Sequence, residues 1–566
     1  MAEKRRLLIA AAIVLATVVA YVPAIRGGFV WDDDFYVTEN RNLRDFAGLV
    51  RVWTTTSATP QYYPLTHTTF WIEHRLFGLR PLGFHLVNVL LHAGSAVLLG
   101  YLLTRLGARG AWLAAAIFAL HPVHVESVAW ITERKNVLSG ILYLASAAVF
   151  LRWALAAEGT PERRRRALPW AALALFAGAL LAKTVAATLP VALGLVLYWK
   201  RGRLERRQLP WLAAMLGLGA AMGSLTSHLE KVQVGAQGRE FALTLPERCL
   251  VAGRALWFYL GKLLWPHPLA FNYARWQVDA AALAQWLPPA AAAAGLVALW
   301  LLRRRIGRAP LVAFAFFTVT LAPALGFFDV FPMKYSFVAD HFQYLASLGP
   351  ISLLAAGACL AWDRSGRRRV AFAFLASPVL VALGALTWHQ GLAYRDLETL
   401  WRRTIAASPD AFMAHYNLGR VLAGRGKTDE ALARYREALR ANPELVEAML
   451  NLANILANRG EAGEAVELYL RALRIDPGQP LAHYNLGISL EEAGRVVEAE
   501  RAYREALRLR PSLVEAHVNL AVLLYGVGRY RESWDEVFAA RRLGATPHPD
   551  FLKALSGNMP EPRGDR

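Results

Sequence analysis

Residues 167–199 read ALPWAALALFAGALLAKTVAATLPVALGLVLYW, an apolar text with one charge, Lys183, near its centre. A single helix of that length would reach roughly 50 Å at about 1.5 Å per residue, well beyond a hydrocarbon core of about 30 Å. Basic clusters flank it, Arg163 to Arg166 before and Lys200 to Arg207 after. Short basic loops mark the cytoplasmic side of membrane helices, so both ends belong on one side and an even number of crossings lies between them. The text is therefore read as two short helices, 168–182 and 185–199, with Lys183-Thr184 at an outer turn.

The same pattern continues in both directions. Of 566 residues, 55% are hydrophobic and 19% charged, and the mean hydropathy is +0.28, too apolar for a soluble enzyme. Further apolar runs fall at 7–25, 83–104, 111–129, 137–155, 209–225, 286–302, 310–327, 342–362 and 370–388. The net charge of +20 sits mainly in short loops between them, among these Lys4 to Arg6, Arg303 to Arg305 and Arg367 to Arg369. No soluble arginine-rich face with interleaved aromatics accompanies that charge, so nucleic acid is not an expected partner. Lys4 to Arg6 before an apolar run resembles a signal peptide, but the run is long for one and many spans follow, so a retained first helix is expected. Parity makes 249–265 a re-entrant or interfacial helix on the outer side, where Arg254 and Lys262 are tolerated. With a cytoplasmic N-terminus, the chain then ends outside. The expected location is the inner (cytoplasmic) membrane, multi-pass, with everything after residue 390 on the periplasmic or extracytoplasmic side. The two cysteines, Cys249 and Cys359, fall towards opposite faces, so no disulfide is expected between them.

From Phe412 the text changes. Pro443, Pro477 and Pro511 close units 34 residues apart, the period of tetratricopeptide repeats. Leu418-Gly419, Leu452-Ala453, Leu486-Gly487 and Leu520-Ala521 hold equivalent places in the first helix; Tyr435, Tyr469 and Tyr503 hold the aromatic place in the second. Small residues let paired helices approach while large ones fill the gap, and each unit stacks on the next. Asp396 to Pro409 fits a preceding partial unit. Asn417, Asn451, Asn485 and Asn519 recur at one position. An amide both donates to and accepts from a peptide backbone, so this ladder is a candidate site for an acceptor polypeptide lying in the repeat groove.

On the outer side the chain gathers chemistry. FVWDDDFYVTEN, residues 29–40, puts three carboxylates at the start of an outer loop over 26–82, and HPVHVESVAWITERKN, residues 121–136, ends an apolar span on the same side. Ionised groups near a bilayer need water, a counter-ion or a task. Acids beside cations there suit transfer of a sugar from a lipid phosphate: a carboxylate acts as general base on an acceptor hydroxyl, and cations hold the phosphate as it leaves. Arg134, Lys183, Lys334 and His341 are the candidate cations. His121 and His124 lack a third ligand at diagnostic spacing and are read as packing and hydrogen-bonding groups, with no metal site assigned.

At these residues the chain resembles the transmembrane and tetratricopeptide-repeat O-mannosyltransferases of the GT-C glycosyltransferase superfamily, and their bacterial relatives most. FVWDDDFYVTEN is similar to the family's paired-acid motif, with Asp32 and Asp33 on the pair; HPVHVESVAWITERKNVL to its HP-x-H-x-E segment; LLAKTVAATLP to its lysine-bearing turn; and FVADHFQYLASLG to its later acidic-basic Tyr-Leu segment. Thr184 stands where the animal family usually has glutamate, and Asp340-His341 where it has a Glu-Arg pair. The resemblance implies an all-α chain: a GT-C-type polytopic helix bundle over 1–390, a repeat solenoid over 391–547 and a tail over 548–566. It implies a glycosyltransferase moving a mannose-like hexose from a polyprenyl-phosphate sugar to Ser or Thr of proteins. Asp32 or Asp33 would be the base, and Glu126, Arg134, Lys183, Lys334, Asp340, His341, His121 and His124 would surround donor or substrate. No cofactor is required beyond the lipid-linked sugar, though a divalent metal is left open, and membrane lipid is a partner. Two other readings stay open: a membrane-anchored repeat scaffold without catalysis, and transfer to a lipid or polysaccharide.

Overall fold

Where the apolar text breaks, the backbone breaks. In the computed structural model, which describes residues 2–156, 162–364 and 369–562, the helix Glu162–Ala182 stops at Lys183, whose backbone is extended (φ −162°, ψ 129°). A 3-10 turn, Thr184–Thr188, then leads into the helix Leu189–Arg201, with Pro190 in its first turn. Proline suits that place because the first N–H groups of a helix lack intrahelical partners in any case. Arg367 and Arg368 of the last basic loop, and residues 563–566 of the tail, lie outside the described residues.

No strand occurs among the described residues, and the chain forms two compact units, Met1–Asp410 and Ala411–Arg566. By length and composition, four described helices can cross a bilayer: Pro81–Arg105, Ile131–Ala154, Arg206–Val234 and Leu283–Leu302. Ala111–Leu120 with Pro122–Ala129, bent by 54°, makes a fifth. Several expected spans are helices shortened by turns. Residues 342–347 are not helical as expected; Asp340–Gln343 form a 3-10 turn and the helix starts at Leu348. Leu245–Leu264 is one helix over the segment read as re-entrant, with Glu247, Arg248, Arg254 and Lys262 along it.

The first unit closes around Arg134. Its guanidinium is fully buried and surrounded by partners from two other helices. Nη2 donates to Glu73 (3.0 Å) and to the Phe84 carbonyl (2.9 Å), and Nη1 to Thr69 (3.2 Å) and Glu73; Nε donates to Asn88. Glu73 lies on the helix Pro64–Phe77, within the loop 26–82, and Asn88 on the long apolar helix Pro81–Arg105. One side chain thus ties that loop to the apolar helices.

Asp33 makes a second tie. The preceding Trp31 adopts a left-handed backbone (φ 52°), a conformation that costs a non-glycine residue about 1–3 kcal/mol. Its ring is held edge-on against Trp401 (5.1 Å) and Phe271 (6.4 Å). Trp401 belongs to Leu397–Ala407, the helix read from sequence as a partial repeat, which falls inside the first unit.

In the second unit the paired helices are Phe412–Gly424 with Thr428–Ala441, Val446–Asn458 with Ala462–Ile475, Pro480–Glu492 with Val496–Leu509, and Val514–Gly526 with Tyr530–Arg542. Gly419 and Gly487 are required by packing: a Cβ there would sit 2.7 Å and 2.5 Å from the rings of Tyr435 and Tyr503. The final helix, Pro549–Asn558, covers the last pair with Phe551 and Leu552 against a core that contains Trp534.

Removing one partner of a buried, hydrogen-bonded ion pair leaves the other charge uncompensated. Glu73→Ala is therefore expected to destabilise the first unit by about 3–5 kcal/mol, read as a lower unfolding temperature of the detergent-solubilised chain; an unchanged temperature would show that Arg134 is not the tie.

Candidate active site

The two aspartates of the paired motif have different surroundings. Asp33 is fully buried. Its Oδ2 accepts from the Val30 N–H (2.8 Å), and its Oδ1 from the N–H (2.8 Å) and hydroxyl (2.7 Å) of Thr132. Burial pushes its carboxyl up to about 7 against the pull of those donors. Asp33 therefore brackets the outer loop onto the turn Ile131–Glu133. Asp32 is half-buried, and its carboxylate makes no hydrogen bond among the described residues. Burial pushes that carboxyl up to about 6; the Lys135 charge pulls it down, and Glu133 and Asp34 push it up.

Facing Asp32 is a charge cluster that sequence reading only half identified. Glu133 holds two lysines, Lys135 through Oε1 (3.1 Å) and Lys183 through Oε2 (3.0 Å). Lys135 also donates to Gln61 (3.3 Å) and lies over the rings of Tyr36 (5.1 Å) and Trp130 (5.8 Å). Gln61 accepts from the Tyr36 hydroxyl (2.9 Å) and donates to Glu230. The outer turn expected at Lys183 is where that ammonium enters the cluster; burial lowers its affinity for the proton and Glu133 opposes the shift.

Trp130 separates this cluster from a second one, with its ring 6.0 Å from His341. Glu126 accepts from the His341 N–H (2.9 Å) and pairs with Nδ1 of the same residue (2.9 Å). Asp340 accepts from the Tyr273 hydroxyl at 3.0 Å on both oxygens, and burial beside Glu126 pushes its carboxyl well up. Lys262 acts on Asp340 through its charge.

Other expected site residues lie elsewhere. Arg134 spends its donors on Asn88, Thr69, Glu73 and Phe84, which leaves none for a phosphate. His121 commits Nε2 to the Leu263 carbonyl (3.0 Å) and Nδ1 to the Val123 N–H (3.4 Å). His124 commits its nitrogens to the Phe118 carbonyl (2.8 Å) and the Ser347 hydroxyl (3.0 Å). These three spend their polar atoms inside the fold, as most buried polar groups do. Lys334 lies over the Tyr335 ring (5.7 Å) on the turn Phe331–Lys334. Among the described residues, no three His, Cys, Asp or Glu side chains gather where an ion could sit.

The asparagine ladder is partly spent inside the repeats. Asn417 donates back to the Met413 carbonyl (2.8 Å). Asn451 and Asn519 donate to the hydroxyls of Tyr416 (3.5 Å) and Tyr484 (3.2 Å) in the preceding unit, and Asn485 to Asn454 (2.9 Å). The amides at 451, 485 and 519 are half-buried, and among the described residues their oxygens accept no hydrogen bond.

Glu133 and Lys135 were missed as individuals although both lie within the quoted 121–136 stretch. Of that stretch, the reading took Arg134 as the phosphate-holding cation. The available signal was position: where Arg134 turns into the bundle, its neighbours on either side must point another way.

Comparison with known proteins agrees with both halves of the chain. Models of the tetratricopeptide repeat match residues 394–432, 416–480 and 480–513. Protein O-mannosyl-transferase Tmtc3 of Drosophila melanogaster is 26% identical over 529 residues, covering 77% of this chain and 55% of that protein. Protein O-mannosyl-transferase TMTC4 of Mus musculus is 27% identical over 477 residues, covering 72% of this chain and 63% of that protein. Protein O-mannosyl-transferase TMTC4 of Homo sapiens is 32% identical over 188 residues, covering 29% and 25%. The chain thus spans between a quarter and under two thirds of the length of these relatives. A crystal structure of MamA is similar at 18% identity and a TM-score of 0.26, covering 26% of this chain and 86% of that one. With membrane-crossing helices, a repeat unit and a matching sequence over about three quarters of its length, the chain is a distant relative of the TMTC1 to TMTC4 protein O-mannosyl-transferases.

Proposed function

We propose that the chain is an integral-membrane glycosyltransferase that moves a sugar, a mannose-like hexose, from a polyprenyl phosphate to Ser or Thr hydroxyls of polypeptides on the outer face of the membrane. The observation that carries this reading is the unbonded Asp32 carboxylate in the field of Lys135, which shares Glu133 with Lys183.

In that reaction Asp32 takes the proton from the acceptor hydroxyl. The oxygen attacks the anomeric carbon, the bond from that carbon to the phosphate oxygen breaks, and its electron pair stays on the phosphate. Lys135 and Lys183 stand where that charge grows, and preorganised cations in a dry site stabilise such charge without reorganising. Glu133 is a positioning residue that keeps both lysines charged and in place. Asp33, already bonded through both oxygens, holds the loop that aims Asp32. His341 and Asp340, past Trp130, form the wall on the sugar side. The repeat unit presents the polypeptide, with the oxygens of Asn451, Asn485 and Asn519 accepting its backbone N–H groups. The basic-loop rule supports eleven crossings, with the acids and the repeats both on the outer face.

Asp32→Asn is expected to lower the transfer rate by about 10²–10⁴-fold, the usual scale of general-base loss, with an unchanged unfolding temperature. Incubation with a panel of polyprenyl-phosphate sugars, followed by intact-mass analysis of co-purifying proteins, reads the transfer; full activity would remove Asp32 from the mechanism. Because the base works ionised and its carboxyl is pushed up to about 6, the rate should rise with pH through about 6 and level off above it. A profile flat across that range would show that a different group takes the proton. Replacing Asn451 and Asn485 together by alanine should raise KM for a protein acceptor and leave a short soluble acceptor unaffected; equal losses for both would argue against a groove role.

A further inference from the structure

The repeats alternate in pairs. The first and third share the text AHYNLG, at 414–419 and 482–487, whereas the second and fourth carry Leu450 and Val518 in place of that tyrosine. The second and fourth instead place a glutamate, Glu447 and Glu515, one turn before their ladder asparagine. In the structure each tyrosine meets the amide of the following repeat: Asn451 donates to the Tyr416 hydroxyl (3.5 Å) and Asn519 to that of Tyr484 (3.2 Å). A tyrosine of the paired helix stands behind each, with ring centroids 6.1 Å apart for Tyr416 and Tyr435 and 6.0 Å apart for Tyr484 and Tyr503. The asparagine ladder therefore passes two places of the same build, two repeats apart.

Their charges differ. At the first place the Arg420 guanidinium lies over the Tyr416 ring (5.9 Å). Burial raises the Tyr416 hydroxyl, the Arg420 charge lowers it and the Glu447 charge raises it. At the second place Ile488 stands where the first has Arg420, and both nearby charges are negative. Burial and then the Glu515 charge raise the Tyr484 hydroxyl; burial and then the Glu491 charge raise that of Tyr503, which donates to Glu491 at 3.0 Å. Glu491 and Glu515 are exposed, and neither has an ion-pair partner among the described residues. Elsewhere in the unit carboxylates are answered: Glu464 by Arg436 (3.2 Å), Glu500 by Arg529 (2.7 Å) and Glu532 by Arg504 (2.9 Å). The missing cation is thus a local feature of the second place.

The groups gathered there suit one chemistry. Two carboxylates, the open amide oxygen of Asn519 and tyrosine ring faces all favour a cation. Leu481 and Val522, on the same two helices, are 51% and 41% exposed, and apolar surface of that kind accepts the methylene stem of a long basic side chain. We propose that the place around Tyr484 takes a lysine or arginine side chain of the bound polypeptide, with Glu491 and Glu515 as its counter-charges, while the equivalent place at Tyr416, already holding Arg420, takes none. This rests on the reading of the repeats as the polypeptide-binding unit and not on the sugar-transfer step. One charge recognised at one of two otherwise matching places fixes the register of an extended chain that the amides alone would hold in any register.

The test uses the full chain in phosphatidylcholine nanodiscs, whose neutral lipid does not attract a basic peptide. Fluorescence anisotropy reads the binding of short dye-labelled Ser/Thr/Ala peptides with one central Lys or, in its place, Gln. The Lys peptide should bind about fivefold more tightly than the Gln peptide at low salt, the upper scale of a partly exposed charge pair, and lose that advantage as salt rises. Glu491→Gln with Glu515→Gln, or Ile488→Arg alone, should bring the Lys peptide to the affinity of the Gln peptide and leave the Gln peptide unchanged. A Lys preference that survives these changes would overturn the assignment to Tyr484. Equal binding of both peptides, weakened alike by Asn451→Ala with Asn485→Ala, would overturn the basic preference and leave the groove in place; no binding of either would overturn the groove reading as well.

Discussion

A charge buried at the top of a membrane bundle must be answered at every donor, and Arg134 is the charge the first unit is built to answer. Its partners come from the helix Pro64–Phe77, Glu73 and Thr69, and from the long apolar helix Pro81–Arg105, Asn88 and the Phe84 carbonyl. Taking those partners away would strand a cation where water cannot reach it, so the loop is as fixed as the helices beneath it. That constraint has a directional effect. With Arg134 turned into the bundle at a helix start, Glu133 and Lys135 face another way, into the cluster with Lys183.

The paired acids follow the same logic of accounting for buried polar atoms. Asp33 is consumed by Val30 and Thr132, which closes the loop onto the turn before Arg134. The left-handed Trp31, held by Trp401 and Phe271, sets where the two aspartates go. Adjacent carboxylates thereby acquire different work: one is a bracket, the other remains open beside Lys135. The second cluster, Glu126 with His341 and Asp340 with Tyr273, repeats the pattern of a carboxylate fixed by a donor from a distant segment.

Much of this was legible in the text. The 34-residue period, the glycine and alanine places opposite tyrosines, and the break at Lys183 all rest on local rules, and each has its counterpart in the backbone. The stretch 121–136 supplies Glu126 to one cluster and Glu133 and Lys135 to the other. Individual roles within that group were not legible. Arg134 reads as a phosphate-holding cation, and His121 and His124 as packing groups that only the resemblance places near substrate; their partners are Glu73, Leu263 and Ser347, far off in sequence. The span expected over 342–362 starts late: Asp340 and His341 are bonded to Tyr273 and Glu126 from distant segments, and the regular helix begins at Leu348.

Sequence by itself determined what depends on neighbours along the chain: the break at Lys183, the repeat period and the collection of acids and cations into a few stretches. Helix geometry and hydrophobic length act over a few residues, so they can be read from a few residues. Tertiary structure alone decided which charges are spent and which are open. Asp32 and Asp33 are one residue apart in the text, and Glu133, Arg134 and Lys135 are consecutive; only the arrival of Thr132, Glu73 and Lys183 from elsewhere in the fold separates their roles. Hydrogen-bond satisfaction is a property of three-dimensional neighbours, and a linear text does not contain them.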